Sequence, residues 1–363
     1  MCEIRFDELG PQKVMYLYSQ KTGLKAFVVV DNTALGPSIG GVRVSLSVTV
    51  EEVMRLARTM TMKNSIAGIP HGGGKAGIIA DPTDRNKERH FRIFAGQIRG
   101  LNEYIPGPDM GSDEACMAWI HDEIGRAVGL PQEIGGLPLD KVGATGFGLA
   151  ECAEVACPFA GITLKGAKVA IQGFGSVGKA AARFLSEKGA VIVAASDTGG
   201  TIYNADGIDI KSLIEAKSAT GSVINYKDGA RQKVEDVFSS DCNILIPAAT
   251  PDVINKDNVH LIKAGLILQG ANIPATQDAE EILHSKGILS IPDFIANAGG
   301  VIMAAMEYAK KIEKEAFDAI STRIKTNTKL ILEKSKNENI LPRQAAVEIA
   351  KERVLEAMKY REY

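Results

Sequence analysis

The tightest constraint in this sequence is an apolar strand that runs directly into a glycine fingerprint. Lys168-Val169-Ala170-Ile171-Gln172 leads into Gly173-Phe174-Gly175-Ser176-Val177-Gly178, and Lys179–Glu187 then reads as a helix ending at Gly189. Ala190–Ser196 reads as a second strand that delivers Asp197. A strand–GxGxxG–helix–strand–acid order is the logic of a dinucleotide site. The first glycine makes the tight turn, the second lets backbone approach a pyrophosphate, and the third lets helix pack on strand. The helix N-terminus offers unpaired N–H groups and a positive dipole. Gly173, Phe174, Gly175, Ser176, Val177 and Gly178 are therefore the candidate cradle. Asp197, about 20 residues on, is placed to accept the adenosine ribose hydroxyls. The stretch 198–206 holds no Arg or Lys, which favours NAD. Ser196 or Thr198 could still meet a 2′-phosphate, so NADP stays open.

Around this motif the chain changes texture. From about residue 140, short apolar runs (Lys168–Gln172, Ala190–Ser196, Asn243–Pro247, Gly265–Gln269, Gly287–Ile291) alternate with helical or looping segments. That alternation predicts an α/β domain of the doubly wound Rossmann type, a parallel sheet with helices on both sides. The first half opens with strands at Val14–Tyr18 and Leu24–Asp31. A turn-rich Leu35–Gly41 follows, then a short strand at Val42–Leu46. Thr49-Val50-Glu51-Glu52 is a capping box opening a helix towards Lys63. A strand at Ala76–Ala80, a helix over Asp84–Leu101 and a loop at Pro106–Gly111 complete that half. The reading is a two-domain α/β chain. Residues 1–139 form a first domain, and residues 140–319 a dinucleotide-binding domain. Helices from about 320 to 363 pack back on the first domain, with hinges near Leu139–Gly146 and residues 297–320.

Composition narrows the partners. Lys+Arg number 42 and Asp+Glu 44, leaving a net charge of −2, so no basic surplus calls for nucleic acid. Apolar stretches such as Ile244–Ala249 fall far short of the ~18 residues that a membrane span needs. The acids of Met1–Asp7 do not fit a signal peptide, and five Cys without a CxxC pattern fit a reducing cytoplasm better than a disulfide frame. The five His show no HExxH or paired spacing, so no protein metal site is expected. Gly, at 37 of 363 residues, exceeds the usual ~7% and points to backbone held close to something.

Two lysines stand near that glycine surplus. Gly72-Gly73-Gly74-Lys75 presents a lysine after side-chain-free backbone, and Lys63 lies in Met60-Thr61-Met62-Lys63-Asn64. Facing one cleft, one lysine could hold a carboxylate as a fixed charge. A desolvated lysine beside another cation loses proton affinity and can act as a base. Asp109, in a Pro/Gly-framed loop, could exchange protons with a substrate. Taken alone, the glycine run also reads as a loop ending in a solvated lysine, and Asp109 as a turn residue.

Ile69-Pro70-His71-Gly72-Gly73-Gly74-Lys75-Ala76-Gly77 resembles the active-site signature of the glutamate/leucine/phenylalanine/valine dehydrogenases. The resemblance spans nearly the whole chain. It includes Gly23–Ala26, Leu35-Gly36-Pro37, Gly40-Gly41-Val42-Arg43, Met60–Asn64, Pro108-Asp109, Ala144-Thr145-Gly146, Gly270-Ala271-Asn272 and Asn297–Val301. It implies reversible oxidative deamination of an L-amino acid to a 2-oxo acid and ammonium, with NAD or NADP, in a homo-oligomer. By the same resemblance Lys63 pairs with the substrate α-carboxylate, Lys75 polarises the carbonyl and activates water, and Asp109 shuttles protons. Gly40 and Gly41 line the pocket. Thr145 and Asn272 hold the nicotinamide end, Asn297 touches nicotinamide and substrate, and Ala248 and Ala249 belong to the cofactor side.

The resemblance also bears on the substrate. Glutamate enzymes carry a side-chain-binding Lys before Gly-Gly-x-Arg and a Ser three residues after the Val of Gly-Gly-Val. Here these positions are Ile39 and Ala304. A γ-carboxylate buried without a cation is costly, so Ile39, Val301 and Ala304 favour an apolar side chain. Against this, Ala144-Thr145-Gly146 and Gln269–Pro274 look more like the glutamate branch. Val42–Ser45 also lacks the aromatic common in leucine enzymes. Glutamate dehydrogenase is the alternative reading, and a catalytically silent nucleotide-binding subunit a remote one. No His occupies the place that a hydroxy-acid enzyme would need, and His71 is expected to face backbone or solvent.

Overall fold

The computed structural model describes residues 6–361; Cys2 and the Met1–Arg5 opening lie outside them. The described chain divides into two compact units. One comprises residues 1–139, 301–319 and 347–363, and the other residues 140–300 and 320–346. The sequence reading had 140–319 as one block and everything after 320 returning to the first. The division falls instead inside helices, which amphipathic pattern alone does not reveal.

In the first unit, β1 (Lys13–Tyr18), β2 (Lys25–Asn32), β3 (Ser38–Val44), β4 (Gly72–Ile78) and β5 (Tyr104–Pro108) form one sheet in the order β1-β2-β4-β3-β5. β1 and β4 run antiparallel to β2, whereas β3 runs parallel to β4 and β5. α1 (Val50–Ile66) covers one face, and α2 (Lys87–Gln97) and α3 (Glu114–Ile124) contribute to the main core. Period-2 alternation sorts the side chains. Val42, Val44, Ala76 and Ile78 join Phe91, Phe94 and Met117 in that core, while Val29 packs with Val53 and Ala57 of α1. Thr49 caps α1 by accepting the Glu52 N–H.

Three segments expected as turns or loops are strands. Leu35–Gly41 enters β3 at Ser38, the glycine run is the start of β4, and Pro106–Gly107 lies in β5. Glycine is poor in strands when there is a side chain to pack; here the lattice has no space for one. A Cβ on Gly40 would lie 1.6 Å from the Gly74 carbonyl oxygen, and one on Gly73 would lie 2.0 Å from the Thr61 nitrogen of α1.

In the second unit, the sheet contains β6 (Lys168–Gln172), β7 (Val191–Asp197), β8 (Gly200–Tyr203), β9 (Ala230–Gln232), β10 (Ile244–Pro247), β11 (Leu266–Leu268) and β12 (Leu289–Ile291). Their order is β12-β11-β10-β6-β7-β8-β9; the first five are parallel, and β8 and β9 extend the edge antiparallel. β8 and β9 go beyond the strands read from the sequence, because runs of 4 and 3 residues are too short to show a period. The remaining helices are α4 (Leu139–Val142), α5 (Ala144–Phe159), α6 (Ser176–Glu187), α7 (Ile210–Thr220), α8 (Gln277–Ser285), α9 (Asp293–Ala296), α10 (Gly299–Tyr308), α11 (Glu313–Glu338) and α12 (Pro342–Met358). Ala170, Leu245 and Ile267 pack on one face with Ala279 and Leu283 of α8. On the other face, Gly270 brings Leu149 of α5 and Ile246 of β10 together. The four described cysteines are buried and free. Among the described residues no helix is long and apolar enough to cross a membrane, and no cluster of His, Cys, Asp and Glu could hold a metal ion.

A buried ionic network ties the start of α12 to this unit. Arg343 Nε donates to Glu280 at 2.7 Å, and its Nη2 donates to Gln269 Oε1 at 2.8 Å and Asp293 at 2.9 Å. Glu280 and Asp293 are 5% and 3% exposed. Removing the cation from buried carboxylates costs about 3–5 kcal/mol. Arg343→Met is therefore expected to lower unfolding free energy by that order, measured by urea denaturation at neutral pH.

Candidate active site

One face of the first sheet gathers the candidate chemistry. Alternation puts Ile39, Gly41 and Arg43 of β3 on the same face, with Gly73 and Lys75 of β4 and Ile105 and Gly107 of β5. Asp109 follows in the same phase just beyond β5. Register aligns the three strands, since Ile39 pairs with both Gly73 and Ile105. Gly41 is the close-approach point: a Cβ there would lie 2.6 Å from the Cβ of Asp109.

Lys75, 7% exposed, donates from Nζ to Asp109 Oδ2 at 3.0 Å. The same oxygen accepts from Arg43 Nε at 3.1 Å, and Arg43 also pairs with Glu52 of α1 at 2.5 Å. Burial pushes the Asp109 carboxyl up, but the charges of Lys75 and Arg43 and their hydrogen bonds outweigh it and hold it below the usual carboxylate range. The loop is fixed by Ser112. Its Oγ accepts from the Asp109 N–H at 2.9 Å and donates to the Val42 carbonyl at 2.8 Å. Fully buried Tyr104 donates to the Gly40 carbonyl at 2.8 Å, and burial pushes its phenol well up, keeping it a donor. Lys63 is half-buried on α1, two residues past Thr61, whose backbone touches Gly73. His71 bonds the Pro37 carbonyl at 3.0 Å through Nδ1 and stacks edge-on against Tyr308, so it faces backbone as expected.

Next to the charged group lies an apolar patch. Ile39, Ile105, Val128 and Ala304 form one buried cluster. The two substrate-side candidates from distant parts of the chain, Ile39 and Ala304, thus meet within the first unit. Val301, also in this unit, is half-buried at the start of the α10 portion that belongs there.

In the second unit the glycine fingerprint has the expected geometry. Gly173 takes φ +90°, a conformation L side chains avoid, and a Cβ on it would lie 2.7 Å from the Ala249 Cβ. A Cβ on Gly178 would lie 2.1 Å from the Gly173 carbonyl oxygen, so α6 is packed against the loop. At Gly175 a Cβ would meet nothing within 4 Å, and no side chain caps α6. The first turn of α6, with exposed Ser176 and half-buried Val177, is left open to an anion. These residues fit a dinucleotide pyrophosphate. Phe174 is fully buried and offers only its backbone. Ala248 and Ala249 sit beside this turn, their N–H groups bonded to the Gln172 carbonyl and side chain.

Asn297 donates to Gly270 O, Ala271 O and Asn272 Oδ1 at 3.1–3.3 Å, which brings the two asparagines together. Thr145 lies in the first turn of α5, where a Cβ on Gly300 would be 3.2 Å from its hydroxyl. Asp197 differs most from expectation. Its two oxygens accept from Lys217 Nζ (2.6 Å), Ser222 Oγ (2.7 Å), Val223 N (2.8 Å) and Gly199 N (2.9 Å). Every lone-pair direction is engaged within the chain.

Sequence reasoning did not single out Lys217 beside Asp197, or Arg43 and Tyr104 beside Asp109. Arg43 could have been found by phase, since it lies two residues from Gly41 on a strand. Lys217 could not, because α7 carries it back to the end of β7.

Residues 135–362 match the family profile described as Glutamate/Leucine/Phenylalanine/Valine dehydrogenase. Residues 11–126 match Glu/Leu/Phe/Val dehydrogenase, dimerisation domain. The chain is 41% identical to a glutamate dehydrogenase of Aeropyrum pernix, covering 91% of this chain and 85% of that protein. It is 39% identical to an NADP-specific glutamate dehydrogenase of Saccharolobus shibatae, covering 97% and 90%. A crystal structure of a hetero-hexameric glutamate dehydrogenase from Thermus thermophilus, in a Leu-bound form, superposes with a TM-score of 0.85 at 28% identity, covering 97% of this chain and 90% of that one. Two profiles in sequence order and high coverage of full-length relatives accord with the lysine–aspartate site and the dinucleotide loop: the chain belongs to the glutamate/leucine/phenylalanine/valine dehydrogenase family of amino acid dehydrogenases.

Proposed function

We propose that this enzyme catalyses the reversible NAD(P)-dependent oxidative deamination of an L-amino acid with an apolar side chain, giving the 2-oxo acid and ammonium. The observation that carries the side-chain preference is that Ile39 and Ala304, the two positions where glutamate enzymes carry polar anchors, meet as apolar residues in one buried cluster with Ile105 and Val128. A substrate γ-carboxylate placed there would lose its hydration without gaining a cation, which costs several kcal/mol. The alternative, glutamate, draws its support from the glutamate dehydrogenases among the relatives and from Ala144-Thr145-Gly146 and Gln269–Pro274, which resemble that branch.

The ion pair of Lys75 with Asp109 and the family resemblance support the following roles. Lys63 holds the α-carboxylate as a fixed charge. Asp109 accepts a proton from the substrate ammonium, and Lys75, already bonded to Asp109, exchanges that proton with it over one hydrogen bond. The Lys75 ammonium polarises the carbonyl oxygen in the reductive direction and orients the water that attacks C2 in the oxidative one. Gly40 and Gly41 let the substrate approach backbone. When bound, the nicotinamide supplies the two-electron acceptor. Thr145, Asn272 and Asn297 hold its carboxamide end, and Gly173, Phe174, Gly175, Ser176, Val177 and Gly178 its pyrophosphate, with Ala248 and Ala249 alongside. Asp197 already carries Lys217 and Ser222, so a ribose 2′-phosphate meets a cation and a hydroxyl there as well as the carboxylate. Both NAD and NADP are accordingly accepted. The enzyme works as a homo-oligomer in the cytoplasm.

A spectrophotometric panel of L-amino acids with NAD and with NADP tests this reading. Leucine, valine or phenylalanine should exceed glutamate in kcat/KM, and both dinucleotides should support turnover. Ile39→Lys with Ala304→Ser should raise the glutamate-to-leucine ratio by at least about tenfold; preference for glutamate in the wild type sinks the apolar assignment.

Lys75→Ala is expected to cut kcat by at least about a hundredfold while dinucleotide affinity, followed by fluorescence titration, stays unchanged. Normal single-turnover chemistry in that variant refutes the role.

Asp109 faces Lys75 from β4, Arg43 from β3 with Glu52 behind it, and Tyr104 from β5. Arg43→Gln removes one cation, which favours the neutral acid and raises the Asp109 pKa. Because the carboxylate form is needed to accept a proton, the acid limb of kcat/KM should move to higher pH. An unmoved limb contradicts the assignment of Asp109 as the proton acceptor.

A further inference from the structure

Glu307 is a buried carboxylate with no place in the chemistry described so far. It is 5% exposed on α10. Its Oε2 accepts the Gly129 N–H at 3.1 Å and its Oε1 the Leu130 N–H at 3.0 Å, with the Leu137 N–H adding a third backbone bond. Burying a carboxylate against backbone donors is an expensive way to stabilise a fold, since an apolar residue of similar volume often does as well. What this arrangement does that an apolar residue could not is fix the position of the strap at 128–130.

That strap has two neighbours of consequence. Val128, immediately before the clamped residues, packs on Ile39, Ile105 and Ala304, and its N–H donates to the Pro106 carbonyl at 2.9 Å. Gly129 takes φ +73°, and a Cβ on it would lie 2.6 Å from the ring of Pro108, the residue before Asp109. Ala304 lies one helical turn before Glu307 on α10, so both project from one side of that helix. One carboxylate therefore sets the distance between two walls of the apolar cluster, Val128 and Ala304, while pressing the strap onto the segment that carries Asp109.

We propose that Glu307 is a positioning residue that fixes the width of the substrate side-chain pocket and its alignment with Asp109. The inference rests on the amino acid dehydrogenase reading. The experiment therefore begins with the wild-type enzyme on the amino acid panel; a wild type inactive on every amino acid overturns that reading itself. With an active wild type, Glu307→Gln and Glu307→Ala are compared for three quantities. These are KM for the favoured amino acid, KM for the dinucleotide, and the kcat/KM ratio between that amino acid and its nearest chain isomer or homologue. Gln is nearly isosteric but turns an NH₂ group towards at least one of the three backbone donors.

The expected result is an amino acid KM raised by about tenfold or more and a ratio between isomers that falls several-fold. The dinucleotide KM should stay within about twofold. Circular dichroism and thermal unfolding report the fold of each variant. If both variants lose kcat with unchanged KM and unchanged isomer ratio, or behave as wild type, the proposal is overturned while the dehydrogenase reading stands. If neither variant folds, the carboxylate serves stability alone and the proposal is likewise overturned.

Discussion

The first unit depends on close approach of backbones that only glycine permits. Gly40 lies against the carbonyl of Gly74, Gly73 against the backbone of Thr61, and Gly41 against the side chain of Asp109. Any Cβ at these points would push β3, β4 and α1 apart by more than a packing defect can absorb. Because they approach so closely, Lys75, Arg43 and Asp109 come within hydrogen-bonding distance, although they lie on different strands and loops. The glycine surplus is thus an electrostatic device at one remove, since it draws charges together by removing side chains between them.

What results is a carboxylate oxygen shared by two cations. Lys75 and Arg43 both reach Asp109 Oδ2, and Glu52 draws on Arg43 from α1. Two cations on one oxygen outweigh the cost of burial, so the Asp109 carboxyl stays ionised near neutral pH. Beside it the cluster of Ile39, Ile105, Val128 and Ala304 is apolar throughout. A charged group and a dry wall are therefore adjacent, a combination common in small-molecule sites.

Much of this was legible in the chain. The strand Lys168–Gln172 has the bounds that its apolar run indicated, and the fingerprint after it folds as its glycines require. The Thr49 cap starts its helix where the capping box placed it. The glycine-rich strands were misread, because local propensity treats Gly72–Gly74 as a loop and cannot register that both faces are already filled. Asp197 was legible as an acid at the end of β7 but not as one saturated by Lys217, Ser222 and two backbone N–H groups. Apart from the Gly199 N–H of the turn that follows β7, those donors arrive from α7 and the segment after it, and contacts of that separation leave no periodic trace.

The sequence by itself determined the chemical inventory: two lysines and an aspartate in glycine-rich surroundings, a dinucleotide loop, and the apolar Ile39 and Ala304. Such motifs are local, so spacing and residue type suffice to state them. Tertiary structure decided which members of the inventory share an atom. It set Arg43 on the same oxygen as Lys75, joined Ala304 to Ile39, and strapped Glu307 to the backbone beside Val128. Each of these is a distance between residues far apart in the chain, set by strand register and by how closely backbones can approach.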